Sequence, residues 1–369
     1  MHDPYKALYL HIPFCVKRCS YCDFTTRSLA SSSPVIDEYV EKLCLDIRRR
    51  GKDGSLSDIE TVYIGGGTPS HIGQSRLSML LYTLSLSMRM EPDVECSMEA
   101  NPESLTGRMV RDIWALGVNR LSIGVQSFDD AGLRTLGRAH GADDAASAID
   151  AAHERFENVS VDLMCGIPGQ SEESFARSVC RAVKLGVSHV SVYPLTIEDH
   201  TPFSRMVLSG ELDEPDDDTE AAHMQVAAEI LADAGFHRYE VASYARPGFE
   251  CRHNIAYWTG VPYLGLGTSA ATMTQNAHRR MRMQDGEVTD DLNAAQMAAE
   301  DLMLGMQMTS GVPDETVHVF SEKLPAAPAA LRDLEKHGLV AHAAGRWMPT
   351  ERGWLCGNEL YGELLDLAP

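Results

Sequence analysis

The sequence contains no run of about 18 apolar residues, so nothing in it reads as a bilayer-spanning helix. Its opening, MHDPYKALYL, lacks a basic segment followed by an apolar one, and no secretory leader is read there. Basic charge is scarce. Against 53 Asp and Glu stand 32 Lys and Arg, a net charge of -21. That field repels phosphate backbones and anionic lipid at long range, which argues against nucleic acid as a partner and leaves room only for a local small-anion pocket. Paired cysteines are lacking as well. The nine cysteines are odd in number, and Cys15, Cys19 and Cys22 crowd into one short stretch. A disulfide framework would distribute even pairs. The expectation is a reduced, cytoplasmic chain with a metal site near its start.

What is present is a repeating strand–helix rhythm. Apolar, β-branched runs at Ala7–Ile12, Thr61–Ile64, Val94–Met98, Arg120–Val125, Val159–Met164 and His189–Leu195 read as buried strands. Helical patterns lie between them at Val35–Arg50, Ser75–Met88, Leu105–Leu116, Ala145–Arg155 and Glu172–Leu185. This alternation predicts an α/β fold, a partial (β/α)6 barrel with helices outside and functional loops at the strand C-termini. The acidic run Glu211–Glu220 reads as the start of a helix over Thr219–Ala234. Residues 291–369 hold helices at Leu292–Met308 and Pro325–His337 and a hairpin over Gly338–Thr350, a small helical, winged-helix-like domain. With 5 Lys and Arg against 12 Asp and Glu, that domain suits packing or a lid better than DNA. The expected divisions are 1–210, 211–290 and 291–369.

Cys15-Val-Lys-Arg-Cys19-Ser-Tyr-Cys22 follows the first strand. Thiolate sets favour zinc or iron–sulfur clusters. Closed structural zinc takes four protein ligands, which Cys44 or His11 would have to complete here. Three ligands on a four-iron core leave one iron open. This CxxxCxxC run resembles the signature of the radical S-adenosylmethionine (SAM) superfamily. The resemblance implies a [4Fe-4S] cluster on Cys15, Cys19 and Cys22, with SAM chelating the open iron. The fold then becomes a radical SAM barrel.

Further motifs end successive strands: Gly65-Gly66-Gly67-Thr68-Pro69, Glu99-Ala-Asn101-Pro102, Gln126-Ser-Phe128 and Asp162-Leu-Met-Cys-Gly166, with Leu136-Gly-Arg138 between the last two. Bare glycines admit a ligand to the backbone. Glu99 suits an ammonium or ribose, or a helix cap. Arg138 suits a carboxylate. In this order the motifs resemble oxygen-independent coproporphyrinogen III oxidases and their HemW relatives. By that resemblance Tyr9, Gly66, Gly67, Thr68, Glu99, Gln126, Arg138 and Asp162 line the SAM site, with Tyr21 and Pro194 as looser contacts.

The two relatives separate at readable positions. The oxidases carry a fourth cysteine where this chain has Phe24, and a longer segment before the cluster, where 14 residues stand here. His253-Asn254-Ile-Ala-Tyr257-Trp258 is similar to the HNxxYW mark of the HemW branch. The resemblance implies a heme chaperone that binds heme and passes it to acceptor proteins, respiratory enzymes among them; the alternative is the oxidative decarboxylase. His253 is the expected axial ligand, with Cys251 and His200 as alternatives. His200 also departs from relatives, which carry glycine there.

Overall fold

The computed structural model describes residues 2–89, 93–214 and 216–368. Pro215, within the acidic run, lies outside the described residues. Strands β1 (Ala7–Ile12), β2 (Thr61–Gly66), β3 (Glu95–Ala100), β4 (Arg120–Gln126), β5 (Asn158–Cys165) and β6 (His189–Pro194) stand side by side in chain order. Each is parallel to the next. Helices Pro34–Lys52, Gln74–Ser87, Gly107–Ala115, Ala142–His153 and Glu172–Lys184 make the crossovers. Local chemistry sets their ends: Thr106 and Ser171 accept the backbone N–H of Met109 and Ser174 at the helix starts.

The strands alternate in a way that decides where the site forms. Leu8, Leu10 and Ile12, Val62 and Ile64, Leu121 and Ile123, and Val159, Val161 and Leu163 join one buried apolar cluster with helix residues such as Ile36, Leu80, Ile149 and Phe175. The residues between them are polar: Tyr9, His11, Tyr63, Glu95, Ser97, Glu99, Arg120, Ser122, Ser160, Asp162 and His189. Successive side chains point to opposite faces, so this second set faces the lumen. Hydrogen bonds from Ser122 Oγ to Asp162 Oδ1 (3.3 Å) and between Ser160 Oγ and His189 Nδ1 (2.7 Å) cross between neighbouring strands there. The runs that read as uniformly apolar are thus two-faced, with apolar residues outward against helices and polar residues inward.

The sheet continues beyond the six strands. Tyr263–Leu266 pairs parallel to the free edge of β1. Ala271–Asn276, Arg279–Gln284 and Glu287–Asn293 then add antiparallel strands, and Ser243–Ala245 pairs antiparallel to β6. No strand is expected over 271–293, because that meander is polar and lacks an apolar period; its first two strands are mostly half-buried and the last is exposed.

Helices Ala294–Gly305, Asp314–Ser321 and Ala327–Lys336 pack with a hairpin of Val340–Ala343 and Arg346–Pro349, to which Val312–Pro313 adds a third strand. These elements share a core of their own, including Leu302, Met306, Leu331, Trp347 and Leu360. Arg280, 1% exposed, ties the sheet to this unit through Glu300 and Asp301 (2.7 Å to the latter).

Candidate functional site

At the end of β1 the chain turns into a loop pinned at its base, where Phe14–Cys15 pairs with Arg27–Ser28. This loop presents Cys15, Cys19 and Cys22, all half-buried, to a cavity of about 470 Å³. The C-terminal ends of β2 to β6 form the other walls. The cavity brings together Tyr21, Gly66, Gly67, Thr68, Glu99, Gln126, Arg138, Asp162 and Pro194 with the three cysteines. Asn101, Tyr193 and Phe24 line it as well, and Phe24 is 63% exposed. Among the described residues no group of three or more His, Cys, Asp or Glu side chains is arranged to hold a metal ion.

The thiols are tied into the walls. Thr68 Oγ1 donates to Cys15 Sγ at 3.5 Å, and Arg138 Nη1 donates to Cys19 Sγ at 3.4 Å. Arg138 Nη2 also donates to Asn101 Oδ1 (2.8 Å) and to the Gly124 carbonyl (2.7 Å). Asn101 Nδ2 in turn donates to Thr68 Oγ1 at 3.0 Å. Burial raises the Cys15 and Cys22 thiols, opposed by the Thr68 hydroxyl at Cys15 and by a hydrogen bond from the Phe24 backbone at Cys22. A cationic guanidinium and hydroxyl donors beside thiol ligands suit an inorganic core carrying negative charge.

The opposite wall is acidic. Burial, with the Asp162 carboxylate second, pushes Glu99 up to about 7. Burial likewise raises Asp162, against the pull of Arg120. Glu99 Oε2 accepts the Gly66 N–H at 3.0 Å. Gly66 has φ +111°, and a Cβ there would run into the His11 ring, so only glycine keeps this amide in place. A Cβ on Gly67 would meet Phe14 N and Ile12 O at 2.8 and 2.9 Å. Gln126 has φ +64° after a register shift against β5, which places it on the rim.

Two expected site residues lie elsewhere. Tyr9 is not on the cavity wall; it sits lower in the lumen, its hydroxyl 3.0 Å from His11 Nδ1 and its ring stacked on Tyr63. His253 is further away, at the opposite end of the strands. It is 1% exposed, with Nδ1 2.9 Å from Thr61 Oγ1 and Nε2 3.3 Å from the Tyr257 hydroxyl. Thr61 and Glu95 are first residues of their strands, and Glu95 accepts the Arg252 and His253 N–H groups at 2.9 and 3.1 Å. Helix Arg252–Trp258 thus plugs the floor of the barrel. Burial drops its pKa to about 3 and keeps the ring neutral, and both ring nitrogens have hydrogen-bond partners, so its lone pair would reach iron only by displacing Thr61 or Tyr257. Cys251 is fully buried beside Glu95 (3.5 Å), and burial pushes its thiol up to about 12, so the thiolate is disfavoured. His200 is exposed, on the loop after β6, at φ +66°. A left-handed backbone of this kind favours glycine.

Sequence reasoning passed over Asn101 as a site residue and missed the floor partners Glu95 and Arg120. The signal that finds them is strand parity, since each shares the inward face with an expected site residue. Among the described residues, none of 294–368 lines the cavity.

The radical SAM superfamily profile matches residues 9–179, and the HemN C-terminal domain profile matches 292–356. The heme chaperone HemW of Bacillus subtilis is 33% identical over 98% of this chain and 99% of its own length. Its Escherichia coli counterpart is 36% identical over 97% of each chain. The chain belongs to the HemW family of the radical SAM superfamily. That superfamily implies a [4Fe-4S] cluster and SAM, and the trio-lined cavity fits both. The HemW-family fold is shared with a solved structure, coproporphyrinogen III oxidase (HemN) of Escherichia coli, at TM-score 0.79 and 21% identity over 99% of this chain and 90% of that one. No helix among the described residues is long and apolar enough to cross a membrane.

Proposed function

We propose that this chain binds heme and delivers it to acceptor proteins, respiratory enzymes among them, while holding a [4Fe-4S] cluster and SAM in the barrel cavity. One observation carries the reading: relatives named heme chaperone HemW align with nearly the whole chain. Cys15, Cys19 and Cys22 would hold the cluster, which would supply the iron that takes SAM. The cavity walls do the rest. The Gly66 backbone and Glu99 suit the amino end, Arg138 suits a carboxylate, and Gln126 and Asp162 suit polar groups further along. Residues 1–210 hold this site, 211–290 close the barrel floor and 291–369 brace the sheet. Nine unpaired cysteines fit a cytoplasmic location.

For heme, the axial ligand this reading favours is His200. It stands exposed on the loop whose Thr196 and Glu198 line the cavity, whereas His253 would have to give up a ring hydrogen bond. Phe24 occupies the place of the oxidases' fourth cysteine and gives the mouth an apolar face.

The test is a hemin titration of the purified chain. A shifted Soret band, weakened in His200→Ala, and transfer to an apo-hemoprotein support the proposal. No Soret shift would sink it. Robust protoporphyrinogen formation from coproporphyrinogen under anaerobic reduction with SAM would assign the chain to the oxidases instead.

A further inference from the structure

Asn101 touches none of the cysteines, yet it links the two side chains that do. Its Nδ2 donates to Thr68 Oγ1 (3.0 Å), and its Oδ1 accepts from Arg138 Nη2 (2.8 Å). Its own N–H donates to Ser70 Oγ (3.3 Å), so the side chain leaves β3 at a fixed angle. A threonine hydroxyl has one proton. Because Thr68 Oγ1 accepts from Asn101, that proton stays free for Cys15 Sγ, 3.5 Å away. Thr68 is 1% exposed, which shields the hydroxyl from bulk solvent. On the other side Asn101 and the Gly124 carbonyl share Nη2 of Arg138, which leaves Nη1 to Cys19 Sγ at 3.4 Å. One amide therefore orients a neutral donor and a cationic donor onto two different thiols.

We infer that Asn101 is a positioning residue that sets the reduction potential of the cluster through Thr68 and Arg138. Hydrogen bonds to cluster sulfurs stabilise the reduced, more negative state and raise the potential. Partners behind a metal's ligands commonly tune it in this way. The inference rests on the cluster placement proposed above and adds a role for a residue outside the ligand set.

The test is a potentiometric EPR titration of the full chain, reconstituted anaerobically and without SAM, with iron measured for every sample. Asn101→Ala and Thr68→Val are expected to shift the midpoint potential downward, and Thr68→Ser to keep it near wild type. The double variant Thr68→Val/Asn101→Ala should shift by less than the sum of the two, since part of the Asn101 effect runs through Thr68. A wild-type potential in Asn101→Ala at four irons per chain overturns the inference. If Asn101→Ala fails to hold iron, Thr68→Val against Thr68→Ser decides for the Thr68 arm of the role, because Thr68→Val keeps the shape without the hydroxyl and Thr68→Ser keeps the hydroxyl; a wild-type potential in Thr68→Val overturns the inference. Wild-type chain that forms no cubane would instead bring down the function proposed above, so the two failures are distinguishable.

Discussion

At the scale of single residues, the cavity separates charges by wall. Thr68 and Arg138 serve the thiol side, and Glu99 and Asp162 form the acidic side. The acidic side makes a pH prediction. Glu99 sits at about 7, raised by burial and by Asp162, so near neutrality it is only partly ionised. An ammonium group binds the carboxylate and not the acid. SAM affinity is therefore expected to be greatest above about pH 7 and to weaken as the pH falls below it. Glu99→Gln should bind SAM about tenfold or more weakly at pH 8 and lose most of that pH dependence; the factor assumes about 1.5–3 kcal/mol for a hydrogen bond to a charged group. Isothermal titration with the reconstituted protein at pH 6, 7 and 8 checks both parts. That Cys15, Cys19 and Cys22 face one cavity was legible in the sequence because their spacing is dense and follows a strand. The place of Gly66 and Gly67 on the same wall was legible because a glycine run directly after a strand marks backbone packed too closely for a Cβ. Asn101 was not, since a lone amide after a strand has no spacing that marks it.

At the scale of elements, the two ends of the strands carry different chemistry on the same inward face. The C-terminal ends open on the cavity. The N-terminal ends are closed by helix Arg252–Trp258, whose first amides rest on Glu95. The motif that suggested a heme ligand is, in this arrangement, the plug. Sequence could not tell these apart, because a histidine between aromatics looks the same whether it awaits a ligand or fills a floor. Its Thr61 partner lies 192 positions away in the chain. Removing the ring leaves a cavity and strips partners from Thr61 and Tyr257. His253→Ala is expected to cost about 3 kcal/mol, in the range of large buried truncations, read as a lowered denaturant midpoint. The pH sign also follows. Burial holds the folded-state pKa of His253 near 3, below its ordinary value of about 6.5. Its contribution to stability is whole above about 6.5 and is lost progressively as the pH falls towards 3. His253→Gln should flatten that part of a curve of Tm against pH.

At the scale of the whole molecule, one barrel rhythm organises the first half of the chain, and its six strands and their crossover helices were readable from period and caps. The antiparallel meander over 271–293 was not, because it is a surface extension stabilised by backbone pairing and ion pairs such as Arg279–Asp291 rather than by buried apolar faces. That extension matters for integrity. Arg280 is buried between Glu300, Asp301, Gln275 and the Gly260 carbonyl, joining the sheet edge to the first helix of the C-terminal unit. Arg280→Met leaves Asp301 without its cation and Glu300 with Arg282 alone, and is expected to destabilise the chain by about 3 kcal/mol. In calorimetry the C-terminal unit should then melt ahead of the barrel; a single unchanged transition would contradict this role. Everything proposed about chemistry, however, depends on the three thiols at the barrel mouth holding one four-iron core with an open position. Mössbauer spectroscopy of the anaerobically reconstituted chain, before and after SAM, measures this directly. The account predicts four irons per chain in a cubane, one of which changes its signal when SAM is added, and loss of the cubane in Cys22→Ser. A chain that takes up only zinc, or a cubane in which no iron responds to SAM, would contradict it.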